Sequence, residues 1–106
     1  MSRITHKNCE RLCDAINQMT GSPKASYVKE ANGRCRSQIG NYHLYRCLGV
    51  CNLVRMDNES GGIRTIIHAS TAPELFERMH AWVAGWREAA DAYSRAVQDA
   101  AKESTP

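Results

Sequence analysis

Apolar residues recur every three or four positions near the start of this chain and again over its last third. Between those stretches the period drops to two. In the first stretch Cys9, Leu12, Cys13, Ile16 and Met19 form one stripe at helical spacing. Thr5 is placed to cap it, Ile4 and Cys9 are spaced as a hydrophobic staple, and Gly21 with Pro23 behind it ends it. The pattern predicts a helix from His6 to Thr20.

From Ala25 the alternation is that of strands. Residues 25–31, then Asn32-Gly33, then residues 34–39 read as a hairpin closed by a type I′ turn. Gly40 marks a bulge or bend into a second run, in which Tyr42 and Leu44 share one face and His43 and Tyr45 the other. Leu48-Gly49 sits at a tight turn. In the next strand Val50, Asn52, Val54 and Met56 oppose Cys51, Leu53 and Arg55. Both sets carry apolar groups, so the pattern does not say which faces the core. A loop over residues 57–62 precedes a last strand from Ile63 to His68.

Thr71, Pro73 and Glu74 together make a helix start. Leu75, Phe76, Met79, Trp82, Val83 and Trp86 then form a broad apolar face, and Ala89, Tyr93, Ala96 and Ala100 continue it thinly. Glu74–Arg78 and Asp91–Arg95 are oriented ion pairs at i,i+4. Gly85 costs this helix about 1 kcal/mol against alanine, which suggests a kink or a close contact there. The helix is expected over residues 72–102. The fold class is therefore α+β: a helix, an antiparallel sheet of three to four strands and a long C-terminal helix, both helices on one face of the sheet. One domain over residues 1–103 is expected, with residues 104–106 fraying. The tail beyond Trp86 either projects into solvent or forms a homodimer interface through helix 72–102.

Charge adds an asymmetry to this picture. Residues 1–56 carry nine Lys/Arg against three Asp/Glu, a balance of +6, and residues 57–106 carry five against eight, a balance of −3. A basic first half is compatible with nucleic acid or an acidic protein surface as partner. No apolar run approaches a bilayer span, and residues 1–10 lack the apolar region of a secretory signal, so the expected location is cytoplasmic. The five cysteines are then expected as reduced thiols.

Candidate chemistry is sparse. Cys47 and Cys51 flank a glycine turn as one zinc knuckle would, with Cys35 or His43 to complete it, but no second knuckle accompanies them. A His43–Cys51 catalytic pair has no third group to orient the imidazole. Asp57 and Glu59 lie in a glycine-ended loop, and no phosphate-binding glycine motif is present. Neither an enzyme nor a cofactor is expected. The stronger signal is the interleaving of aromatic and basic side chains on the strands: Tyr27, Arg34, Arg36, Tyr42, Tyr45, Arg46 and Arg55. Tyrosine and arginine anchor protein interfaces, and the same residues can stack and neutralise nucleic acid.

The Thr20–Pro23 run, the Gly-Asn-Tyr-His-Leu run at residues 40–44, Leu53–Met56 with Asn-Glu-Ser-Gly-Gly at 58–62, and the Thr71–Gly85 segment resemble a group of small proteins of tailed phages and prophages. The resemblance covers Leu12 to Trp86 and departs at Cys47, Cys51 and the tail. It implies phage origin and residence in the host cytoplasm, and no activity. The element order is also similar to double-stranded RNA-binding domains, but those begin the last helix with lysines, where this chain has Ala72, Pro73, Glu74 and Glu77. The expectation is a non-enzymatic phage accessory protein that binds a host protein, modulating host physiology or a defence system. The alternative is a nucleic-acid-binding module on the basic aromatic sheet face.

Overall fold

The computed structural model describes residues 3–103. Helix α1 spans His6–Thr20, and its C-terminus closes as the sequence predicts. Gly21 takes the left-handed conformation (φ 71°), while the amides of Gly21 and Ser22 donate to the carbonyls of Gln18 and Asn17. At the other end Asn8 Oδ1 accepts the Thr5 amide at 2.9 Å. Strands β1 (Tyr27–Lys29) and β2 (Cys35–Ser37) form a two-stranded ribbon. Strands β3 (Tyr42–Cys47), β4 (Val50–Met56) and β5 (Ile63–Ile67) form a separate antiparallel sheet in the order β3-β4-β5. Helix α2 runs from Ala72 to Glu103, its first turn capped by Thr71, whose Oγ1 accepts the Glu74 amide at 3.3 Å. Both expected ion pairs on α2 form, Glu74–Arg78 at 2.8 Å and Asp91–Arg95 at 3.4 Å. Residues 104–106, expected to fray, lie outside the described residues.

The α+β order and the placing of both helices on one sheet face are as the pattern predicts. Register puts Tyr42, Leu44, Cys51, Leu53 and Ile67 on the same side. There they pack with Cys9, Cys13 and Ile16 of α1 and Leu75, Met79 and Val83 of α2.

Three expectations need correction. The first hairpin does not close by a type I′ turn, because only Gly33 (φ 83°) has positive φ and Asn32 does not. Glu30 and Arg34 instead pair across a three-residue loop: the Glu30 amide donates to the Arg34 carbonyl, and the Gly33 amide back to Glu30. That is a type I turn with a glycine bulge. Secondly, Gly85 has no close contact, since a Cβ built there would meet nothing within 4 Å and the helix runs through it.

The third correction concerns the far face of the sheet, which a module binding through its sheet face, away from both helices, would leave open. Val54 and Met56 point away from the helices yet are fully buried. The chain between α1 and β3 closes this end. Ser26 Oγ donates to Asn41 Oδ1, Asn41 Nδ2 donates to the Pro23 carbonyl, and a Cβ at Gly61 would meet the Tyr27 hydroxyl and Ser37 Oγ. Among the described residues the β3–β4 turn end of this face stays uncovered at Tyr45 and Cys47, and the β5 edge stays exposed at Ile63 and Thr65.

Candidate functional site

The seven residues expected to share a binding surface are divided by the fold. Tyr42 is buried, because its even register on β3 turns it under the helices. Its ring lies 5.5 Å from Trp82, and the Arg55 guanidinium sits 5.9 Å above it. Arg55 is thus spent on the inner face. Tyr27, Arg34 and Arg36 belong to the separate β1–β2 ribbon, where Arg36 pairs with Glu30 at 3.6 Å. Tyr45 and Arg46 stand on opposite faces of β3. On the three-stranded sheet Arg46, Arg55 and Arg64 all take helix-side register positions. The far face carries His43, Tyr45, Cys47, Val50, Asn52, Val54, Met56, Ile63 and Thr65 and no Lys or Arg. No open basic aromatic sheet face forms, because the three arginines share the helix side with the buried Tyr42, and the exposed Tyr45 stands on the other side.

What does converge on the far face is an apolar patch at the β3–β4 hairpin tip. Cys47 pairs with Val50 across the turn, Tyr45 lies one pair further along, and Leu48 stands at the turn itself. Tyr45 is 44% exposed and Leu48 98%. The turn needs Gly49 at positive φ (70°) and asks nothing apolar of position 48.

The cysteine candidates separate for the same reason of parity. Cys47 is exposed on the far face and Cys51 buried on the inner face, so the two cannot share one metal. His43 also takes the far face, opposite to Cys51. Among the described residues no three His, Cys, Asp or Glu side chains cluster as metal ligands would. The imidazole that does reach Cys51 is His6, which sequence spacing could not single out across 45 residues. The sulfur lies 3.6 Å from both ring nitrogens, off the axis of either one, and the contact lacks the alignment of a general base with its thiol. Burial pushes Cys13 up to about 12, and it also raises Cys9, with the charge of Cys51 adding to it. These thiols are core groups: Cys13 Sγ donates to the Tyr42 carbonyl and Cys9 Sγ to that of Ala72. Asp57 is engaged with Arg64 at 3.9 Å, and Asn58 Oδ1 organises its loop by accepting the Ser60 and Gly62 amides.

Sequence reasoning also missed Asn17. This buried side chain donates from Nδ2 to the Tyr42 carbonyl at 2.8 Å and accepts the Tyr42 amide at Oδ1 at 2.7 Å. It imitates one peptide group of a neighbouring strand at the edge of β3. Beyond it lies a groove of about 220 Å³ lined by Glu10, Cys13, Asp14, Asn17, Lys24, Tyr42, His43 and Leu44. Burial lowers His43 below its ordinary value of 6.5.

No known family model, curated protein or solved structure matches this chain. None of the described helices is long and apolar enough to cross a membrane.

Proposed function

We propose that this chain is a non-enzymatic binding module, a phage accessory protein acting in the host cytoplasm by docking on a host protein. One observation carries the reading. The apolar patch of Tyr45, Cys47, Leu48 and Val50 sits at the tip of the β3–β4 hairpin, where among the described residues the first three are exposed and Val50 is half-buried. Burying one leucine side chain in a partner recovers about 1.5–3 kcal/mol. A tyrosine beside it adds a large, stiff contact of the kind that anchors interfaces. The resemblance to phage proteins motivates the host setting, with modulation of physiology or of a defence system as its purpose. The nucleic-acid alternative is the weaker one, since the arginines it needs do not share a face with Tyr45.

Capture from host lysate, comparing the wild type with a Tyr45→Ala/Leu48→Asp variant, tests this. A partner that survives nuclease and moderate salt, and is lost with the variant, is the expected result. Recovery that collapses with nuclease, and with Arg34→Glu/Arg36→Glu, points to nucleic acid instead.

Self-association through α2 is part of the same reading. Trp86, Ala90, Tyr93, Val97 and Ala100, beyond the part of α2 buried in the chain's own core, follow alternating 4-3 spacing, the period of a coiled-coil seam. The acids and bases of the tail lie off those positions, Arg87 being next to Trp86. Sedimentation of a Tyr93→Asp/Val97→Asp variant should show a monomer where the wild type is a dimer. Equal masses remove this part of the reading.

A further inference from the structure

Three far-face side chains line up across the sheet beside the hairpin patch. Tyr45 pairs with Asn52, and on the other side of Asn52 the chain leaving β5 brings His68. Asn52 is only 9% exposed, at the floor of a notch between exposed neighbours. Its Oδ1 accepts from His68 Nδ1 at 2.9 Å and from the Ala69 amide at 3.4 Å. A backbone amide can only donate, so that atom is the oxygen and His68 bonds to it through Nδ1–H. In the neutral ring Nε2 then holds a bare lone pair, on an exposed side chain fixed in direction.

The nitrogen of the same Asn52 amide is left over. Among the described residues nothing accepts from Asn52 Nδ2. No enclosed side-chain nitrogen or oxygen there lacks a partner, so Nδ2 is reached from the far surface. A donor on a side chain nine-tenths buried thus adjoins an oriented acceptor, next to the exposed Tyr45 and the half-buried Val50. A protein that covered the patch without filling the notch would strand that donor, at the cost of its desolvation.

We propose that the notch takes the carboxamide of a glutamine side chain from the docked protein. Asn52 Nδ2 donates to its oxygen, and its nitrogen donates to His68 Nε2. The inference rests on the reading of the hairpin tip as a docking surface and names the group that fixes the partner there. An amide offers an acceptor and a donor side by side. A carboxylate offers only acceptors, and an ammonium or guanidinium only donors. A hydroxyl presents both from one atom, as the water it displaces does. A main-chain amide has the right chemistry but is tied into its own backbone, and a donor this deep is met by a group on a stem. The two methylenes of glutamine supply that stem, against Tyr45 and Val50.

The test uses the whole chain, isotope-labelled, and three capped tripeptides: Leu-Gln-Leu, Leu-Glu-Leu and Leu-Met-Leu. The glutamine peptide should shift the Asn52 side-chain amide and the His68 ring nitrogens together. The other two should bind about tenfold more weakly, the contribution of two ordinary hydrogen bonds. Asn52→Asp keeps the acceptor that holds His68 and Ala69 and loses the donor. His68→Phe keeps a flat ring at an exposed position and loses the acceptor. Each should shrink the preference to about threefold, one bond remaining. Because the phenylalanine variant changes an exposed residue, it decides the matter even if the buried charge of Asn52→Asp prevents folding. Equal affinity for the three peptides, no binding of any, a preference for glutamate, or a glutamine preference undiminished by His68→Phe overturns the inference. In lysate capture, a partner held equally by His68→Phe sinks the notch and leaves the docking surface standing. If the wild type captures nothing, the docking surface falls and the peptide series judges the notch alone.

Discussion

The two halves of α2 carry the same apolar spacing and meet opposite fates. Over its first four turns Leu75, Met79 and Val83 are buried against the sheet and α1. Beyond Trp86 every residue to Lys102 is exposed except Ala90, which is half-buried; Tyr93 is 72% and Val97 49% exposed. The stripe does not change; what lies opposite it does. Helix α1 has only 15 residues and the sheet ends, so about 25 Å of helix extends past its support. A helix of this length is marginal alone in water. Spacing therefore states that a face is prepared for packing, and the neighbouring elements state whether it is used.

The sharpest way to break this comparison is to truncate matching positions. Met79→Ala should cost about 2–5 kcal/mol in urea unfolding, because the cavity it leaves is walled by both helices and the sheet. A cost below 1 kcal/mol would mean the first half is no better supported than the second. Gly85→Ala joins the halves through a better helix former with no clash, and should stabilise the chain by about 1 kcal/mol. A loss of stability there would reveal a contact that the present geometry lacks.

Acidification addresses the supported region. His43 has a folded-state value lowered by burial, so the unfolded chain binds its proton more readily. Stability should therefore be full above the unfolded value of 6.5 and fall as pH drops through it towards the folded one. His43→Gln should flatten that slope in thermal melts between neutral and mildly acidic pH. An unchanged slope would assign the acid sensitivity to another group.

The smallest effect belongs to the tail. Val97→Ala should change the stability of the dilute, monomeric chain by no more than about 0.5 kcal/mol. Amide exchange over residues 90–102 should be much faster than over 75–83 under those conditions. Raising protein concentration should slow exchange in the tail alone if a second copy covers it. Equal protection of both halves in dilute solution would end the distinction.

Much of this fold was legible in the chain because its signals are local. The bounds of α1, the glycine that closes it, the start of α2 and both i,i+4 ion pairs depend on residues within a few positions of one another. The binding residues were less legible because a surface is a non-local object. Tyr42 and Tyr45 look alike in the sequence, but they differ by an odd number of positions and so face opposite ways. Asn17 looks like an ordinary polar interruption of a helical stripe, and it becomes the cap of a strand edge only through Tyr42, 25 residues away.

By itself, then, the order of residues determined the elements, their ends and their amphipathic faces, since propensity, capping and periodicity act over one or two turns. Tertiary structure alone decided that β4 buries both of its faces. Leu53 lies under the helices, while Val54 and Met56 lie under the segment that leads from α1 to β3. It also decided which strand edge Asn17 caps and which half of α2 stands alone. Each outcome depends on how far one element reaches across another, a length set in three dimensions that no local period records.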